Sequence, residues 1–149
     1  MKTLIIILTV ASFLQSTILP IDLVLIILIC RSYVKISKSN LYLSLAFGIL
    51  VSHLSLVNLG FYSLVYILIV AATESLSKTR LAGNSLLIVP ISFVLLTLSH
   101  ILTSLFLHQS LDFFPKVFIE SLISLPILYL LRIWEERFIV KGDIKLKFL

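Results

Sequence analysis

The sequence predicts an all-α polytopic membrane protein: a single domain, residues 1–149, built as a bundle of six transmembrane helices with both termini in the cytoplasm. Three observations carry that expectation. Hydrophobic residues make up 60% of the chain and charged residues only 13%, about half the charged share of a soluble globular domain. Mean hydropathy is +1.18. The apolar residues fall in runs of about twenty without strand-like alternation, the length a helix needs to cross hydrocarbon. Lipid offers backbone amides and carbonyls no partners, so such a chain must satisfy them within its helices.

The first run, Thr3 to Leu19, follows Lys2 and imitates a signal peptide. Hydrophobicity resumes at Ile21 without a clear small-x-small cleavage site, so the run is expected to stay as an anchor. Polar Gln15, Ser16 and Thr17 end it, Pro20 cannot continue its hydrogen-bond ladder, and Asp22 suits the N-terminus of the next helix. This stretch is expected to form the first hairpin. The second span, Ile21 to Tyr33, rises only about 20 Å against a hydrocarbon core of about 30 Å. Local thinning, snorkelling of Arg31 or cover by neighbouring helices must make up the difference. The third and fourth spans, Leu41 to Val57 and Leu59 to Leu76, meet at Asn58 with almost no connection, which makes them antiparallel neighbours. The fifth, Leu86 to Leu107, and the sixth, Phe113 to Ile133, contain Pro90 and Pro126, where kinks are expected. After Trp134, an interfacial anchor, residues 132–149 form a basic cytoplasmic tail. It is either a small hairpin about Gly142 and Asp143 or a strip lying on the inner leaflet. Cys30 is expected to pack as a small apolar residue.

Lys and Arg placement sets the orientation. With the N-terminus inside, Lys2, Arg31, Lys35, Lys38, Lys78, Arg80, Arg132, Arg137, Lys141, Lys145 and Lys147 face the cytoplasm, and of the 12 basic residues only Lys116 faces outward.

Polar residues then concentrate in the outer half. Ionisable groups inside a membrane are costly and therefore functional candidates, although many only join helices. His100, Ser104 and His108 recur at i, i+4 and i+8, as do Lys116, Glu120 and Ser124, so each set forms one stripe. A hairpin turning near Ser110 puts His100 level with Glu120, Ser104 with Lys116 and His108 with Asp112. The stripes either hold the last two helices together or line an outward-facing pocket or docking groove. His53 and Tyr62, near the outer ends of the third and fourth spans, and Gln15 in the first hairpin complete the candidate set. The residues expected to face a partner or ligand are thus His100, Ser104, Lys116, Glu120, His53, Tyr62 and Gln15.

No catalytic residue, cofactor or metal ligand is expected. His100 and His108 stand two turns apart, about 12 Å, too far to share an ion held at about 2 Å. HExxH, CxxC, GxSxG and phosphate-loop patterns are absent from the sequence. The net charge of +5 follows topology and anionic lipid headgroups rather than nucleic acid, which would call for a clustered basic face with interleaved aromatics. Membrane lipids are the first expected partner.

Two stretches resemble the rod-shape-determining protein MreD family of bacterial cell-wall elongation. Leu14-Gln15-Ser16-Thr17-Ile18-Leu19-Pro20, followed by Asp22-Leu23, is similar to the family's first hairpin. Gly48-Ile49-Leu50, then Leu59-Gly60 and Ser63-Leu64-Val65-Tyr66, is similar to its Gly-Leu-Leu to Leu-Gly segment at the same glycine spacing, with Ser52 where the family commonly has an acidic residue. Six spans and 149 residues agree with it. The resemblance implies a non-enzymatic multi-pass subunit of the bacterial inner membrane. It would scaffold the elongation complex by associating with an MreC-like protein and other cell-wall elongation proteins. The family's fold is similar to the S components of energy-coupling-factor transporters, which implies as the alternative a small-molecule (vitamin) binding subunit of a transporter.

Overall fold

A computed structural model describes residues 2–19, 21–79, 84–108 and 114–147, with side chains through 135 and at 137. Six α-helices follow one another: α1 Lys2–Thr17, α2 Leu23–Val34, α3 Lys38–Leu54, α4 Phe61–Ser77, α5 Ile88–Leu107 and α6 Phe114–Lys147. A short 3-10 turn, Ser85–Leu87, leads into α5. Among the described residues there is no strand. Each expected span falls on one helix, with ends shifted by a few residues, except that α6 continues past Ile133 to Lys147. Pro20, Arg80, the turn near Ser110 and Asp112 lie outside the described residues.

The helices run up and down. The C-terminal ends of α1, α3 and α5 and the N-terminal ends of α2, α4 and α6 gather at one end, the distal end; the C-terminal ends of α2 and α4 and the N-terminal ends of α3 and α5 gather at the other, the proximal end. Side chains tie the proximal connections together: Ser77 Oγ donates to Tyr33 O at 3.0 Å, and Tyr33 Oη donates to Asn84 O at 2.9 Å.

α2 is the shortest helix, 12 residues, and touches each of the others. Val24, Leu25, Ile26, Leu28, Ile29 and Cys30 are fully buried. Neighbouring helices therefore supply the cover that its length demanded. Arg31 does not snorkel: it is only 5% exposed, and its Nε donates to Asn40 Oδ1 at 2.8 Å. Asn40 is held in turn, its Nδ2 donating to Lys35 O at 2.7 Å and to Glu74 Oε1 at 3.0 Å. A buried cation is tolerated when its donors meet oriented acceptors.

The connection from α3 to α4 spans residues 55–60, longer than Asn58 alone suggested. Apolar Leu56, Val57 and Leu59 disguise it in the hydropathy, yet Leu56 is 94% exposed. Leu56 (φ 55°) and Gly60 (φ 93°) take left-handed conformations on either side of the turn. A Cβ on Gly60 would meet nothing within 4 Å, so its glycine serves φ alone. Gly48 is different. A Cβ there would lie 2.6 Å from Ser63 N and closer still to Ser63 Cα, so α3 and α4 pack backbone to backbone.

Pro90 falls in the first turn of α5, where its missing N–H removes no intrahelical bond. Pro126 lies inside α6, and the helix continues on both sides of it. It also continues through Lys147, so the tail forms no hairpin about Gly142 and Asp143. Extending an existing helix adds one bond per residue, whereas an isolated two-stranded hairpin is marginal.

Apolar side chains lie on the outside as well as in the core, and polar ones are buried among them. Large apolar side chains cover the lateral faces: Ile6 and Val10 on α1, Leu64 on α4, Val94 and Leu105 on α5, Leu130 on α6. The hydroxyls of Ser12, Ser44, Thr73, Ser92 and Ser124 are buried between helices. Ser12 and Thr73 donate to carbonyls one turn back, each at 2.8 Å, and Ser92 Oγ meets Ser124 Oγ at 2.9 Å between α5 and α6. Small hydroxyl residues of this kind allow helices to approach closely in an apolar solvent. Two segments, Ser85–Leu107 and Phe114–Glu135, are long and apolar enough to cross a membrane.

Candidate functional site

At the distal end α1, α2, α4, α5 and α6 bring their polar side chains to one place. Asp22 occupies the N-cap position of α2 but makes no side-chain capping bond. Gln15 caps the helix in its stead, its Oε1 accepting from Val24 N at 3.2 Å. The other end of the same amide donates to Asp22 Oδ1 at 3.2 Å and to Tyr66 Oη at 3.3 Å. The Asp22 carboxylate is thereby turned inward, where its Oδ2 lies 3.5 Å from His100 Nε2.

Glu120 is the centre of the cluster. It is 0% exposed, and its Oε1 accepts from the backbone N of Asp22 at 3.0 Å. Its Oε2 lies 3.1 Å from His100 Nε2, and Lys116, one turn away on the same helix, places Nζ 3.9 Å from Oε1. The facing of His100 and Glu120 expected from the two stripes is present, as is the Lys116 contact. One acid on α6 therefore joins the first hairpin, α5 and its own helix.

The other expected residues sit differently. Ser104 lies one turn beyond His100 on α5 and is partly buried. Tyr62 borders the cluster through its ring, 6.0 Å from that of Tyr66, while its backbone N donates to Ser52 Oγ at 3.2 Å. His53 is exposed near the end of α3, outside the cluster. Sequence reasoning assigned Asp22 only to a helix end and gave Tyr66 no place in the candidate set. An acid flanked by Ile21 and Leu23 was the signal that Asp22 needed a polar partner.

Two carboxylates, an imidazole and an ammonium group thus meet with little water. The carboxylate and imidazole ligand atoms of Asp22, His100 and Glu120 all lie within 4.8 Å of one another. Such a set can share a proton or hold a cation. Beside it, Gln15, Ser16, Thr17, Ile18 and Leu19 line a shallow depression of about 250 Å³. Larger voids lie on the lateral faces and are apolar. One of about 380 Å³ is lined by Leu4, Ile7, Ile27, Ile127, Leu131 and Trp134 between α1, α2 and α6. Another, about 460 Å³, lies between α5 and α6. Comparison with protein-family models, with curated proteins and with solved structures gives no match for this chain.

Proposed function

We propose that the protein is a non-enzymatic, multi-pass subunit of the bacterial inner membrane that acts as a scaffold, as the resemblance to the MreD family implies. All six helices cross the membrane, with both termini in the cytoplasm and the distal end outside. The observation that carries this reading is the division of labour on the molecule. Asp22, His100, Lys116 and Glu120 are spent on contacts with one another, whereas the accessible faces are largely apolar and grooved. Assembly through helix faces fits that surface, with the α1–α2–α6 groove as the seat for a single-span partner of the MreC type. The large apolar side chains exposed along the helices support the membrane placement, and the gathering of Lys35, Lys38, Lys78 and Arg132 toward the proximal end supports its orientation.

Two measurements test this. Affinity purification of the tagged protein in mild detergent is expected to recover cell-wall elongation proteins, and Ile127→Trp, which fills the groove, is expected to reduce that recovery several-fold. Recovery of only transporter ATPases and a coupling subunit overturns the scaffold in favour of solute uptake. The topology is read separately, in a Cys30→Ser background that keeps a donor to Ser124 O, now bonded at 3.3 Å. An impermeant thiol reagent applied to intact spheroplasts is expected to label Thr17→Cys but not Thr79→Cys, both positions being exposed. The opposite pattern inverts the orientation.

A further inference from the structure

We infer that Asp22, His100 and Glu120 form a binding site for one divalent transition-metal ion of the zinc class. Tetrahedral coordination at about 2.0–2.2 Å places neighbouring ligand atoms about 3.3 Å apart. His100 Nε2 stands 3.5 Å from Asp22 Oδ2 and 3.1 Å from Glu120 Oε2, and all three ligand atoms lie within 4.8 Å. Small side-chain movements therefore close the set around an ion.

The remaining oxygens are already fixed by outer partners, as metal-bound carboxylates require. Gln15 Nε2 holds Asp22 Oδ1 at 3.2 Å, and the Asp22 backbone N holds Glu120 Oε1 at 3.0 Å. Each carboxylate thus turns its second oxygen toward the imidazole. His108 is not part of this set; the third ligand comes from the first hairpin.

Access and donor chemistry narrow the ligand. The side chains of Asp22 and His100 are 18% and 12% exposed and that of Glu120 is 0% exposed, so an ion enters beside the α1–α2 turn and keeps a water in its fourth position. One nitrogen and two oxygens without sulfur suit Zn²⁺ or Co²⁺ rather than Cu⁺. Three ligands are too few for Ca²⁺, which takes six to eight oxygens. The two carboxylates neutralise the ion's charge, and Lys116 stays at the edge. Bound metal clamps the first hairpin to α5 and α6, whatever the partner of the assembled protein.

The test uses the full chain without a polyhistidine tag, purified in detergent, stripped with a chelator and dialysed against Zn²⁺. One zinc per chain is expected. His100→Gln and Asp22→Asn are expected to weaken binding by more than about a hundredfold, and Gln15→Ala, an outer partner, by about tenfold. His53→Ala is expected to leave it unchanged. Wild-type protein that binds no zinc, or that binds it equally well as His100→Gln and Asp22→Asn, overturns the site. If circular dichroism shows that those variants unfold, Co²⁺ on the wild type decides. An intense tetrahedral visible spectrum upholds the site, and the weak spectrum of hydrated octahedral Co²⁺ overturns it.

Discussion

Glu120→Ala is expected to destabilise the protein by about 3–5 kcal/mol, the cost of removing one partner from a buried charged pair. The loss is not one bond. It strips the acceptor from the Asp22 backbone N–H at 3.0 Å, the contact of His100 at 3.1 Å and the ion pair of Lys116 at 3.9 Å. Glu120 itself is fully buried, so water does not replace them readily. Glu120→Gln separates charge from hydrogen bonding. Its amide oxygen still accepts from Asp22 N, and the expected cost falls to about 1–2 kcal/mol. Unfolding in detergent, followed by circular dichroism across a denaturant titration, checks the order: wild type, then Gln, then Ala. Equal midpoints for all three show that the cluster contributes nothing to stability.

Gly48→Ala is the second large effect. The added methyl meets the N and Cα of Ser63, which are backbone atoms and cannot rotate aside. α3 and α4 must separate, and the bond from Ser63 Oγ to Leu45 O at 3.1 Å lengthens with them. Overpacking of this kind costs about 1–3 kcal/mol, and Gly48→Leu more. The same titration measures it, and an unchanged midpoint for Gly48→Ala shows that the two backbones are not held so close.

The helices were readable because each lies in an apolar run bounded by polar residues. The facing of His100 and Glu120 was readable for a related reason: both stand at matched distances from one turn, on stripes four residues apart. Asp22 was not. Its backbone N reaches Glu120 across 98 residues of sequence, and only the lean of the first hairpin on α5 and α6 creates that contact. Which of the three remedies for the short second helix applies, and the partner of Arg31, were not legible, because a lone cation at the end of a short apolar helix has no partner that periodicity reveals. Asn40 supplies one by folding back in the first turn of α3. The α3–α4 connection was underestimated because Leu56 and Leu59 are apolar although they are exposed, and hydropathy reads composition rather than φ.

The central position of α2 bears on how the protein is made. It precedes α3 to α6 in the chain, yet its cover is completed by the last of them. Cys30 donates to Ser124 O on α6, and the hairpin preceding α2 rests its amide on Glu120. During synthesis, Cys30 and the Asp22 amide wait for partners on a segment that begins at Phe114. A chain interrupted before α6 emerges lacks both contacts.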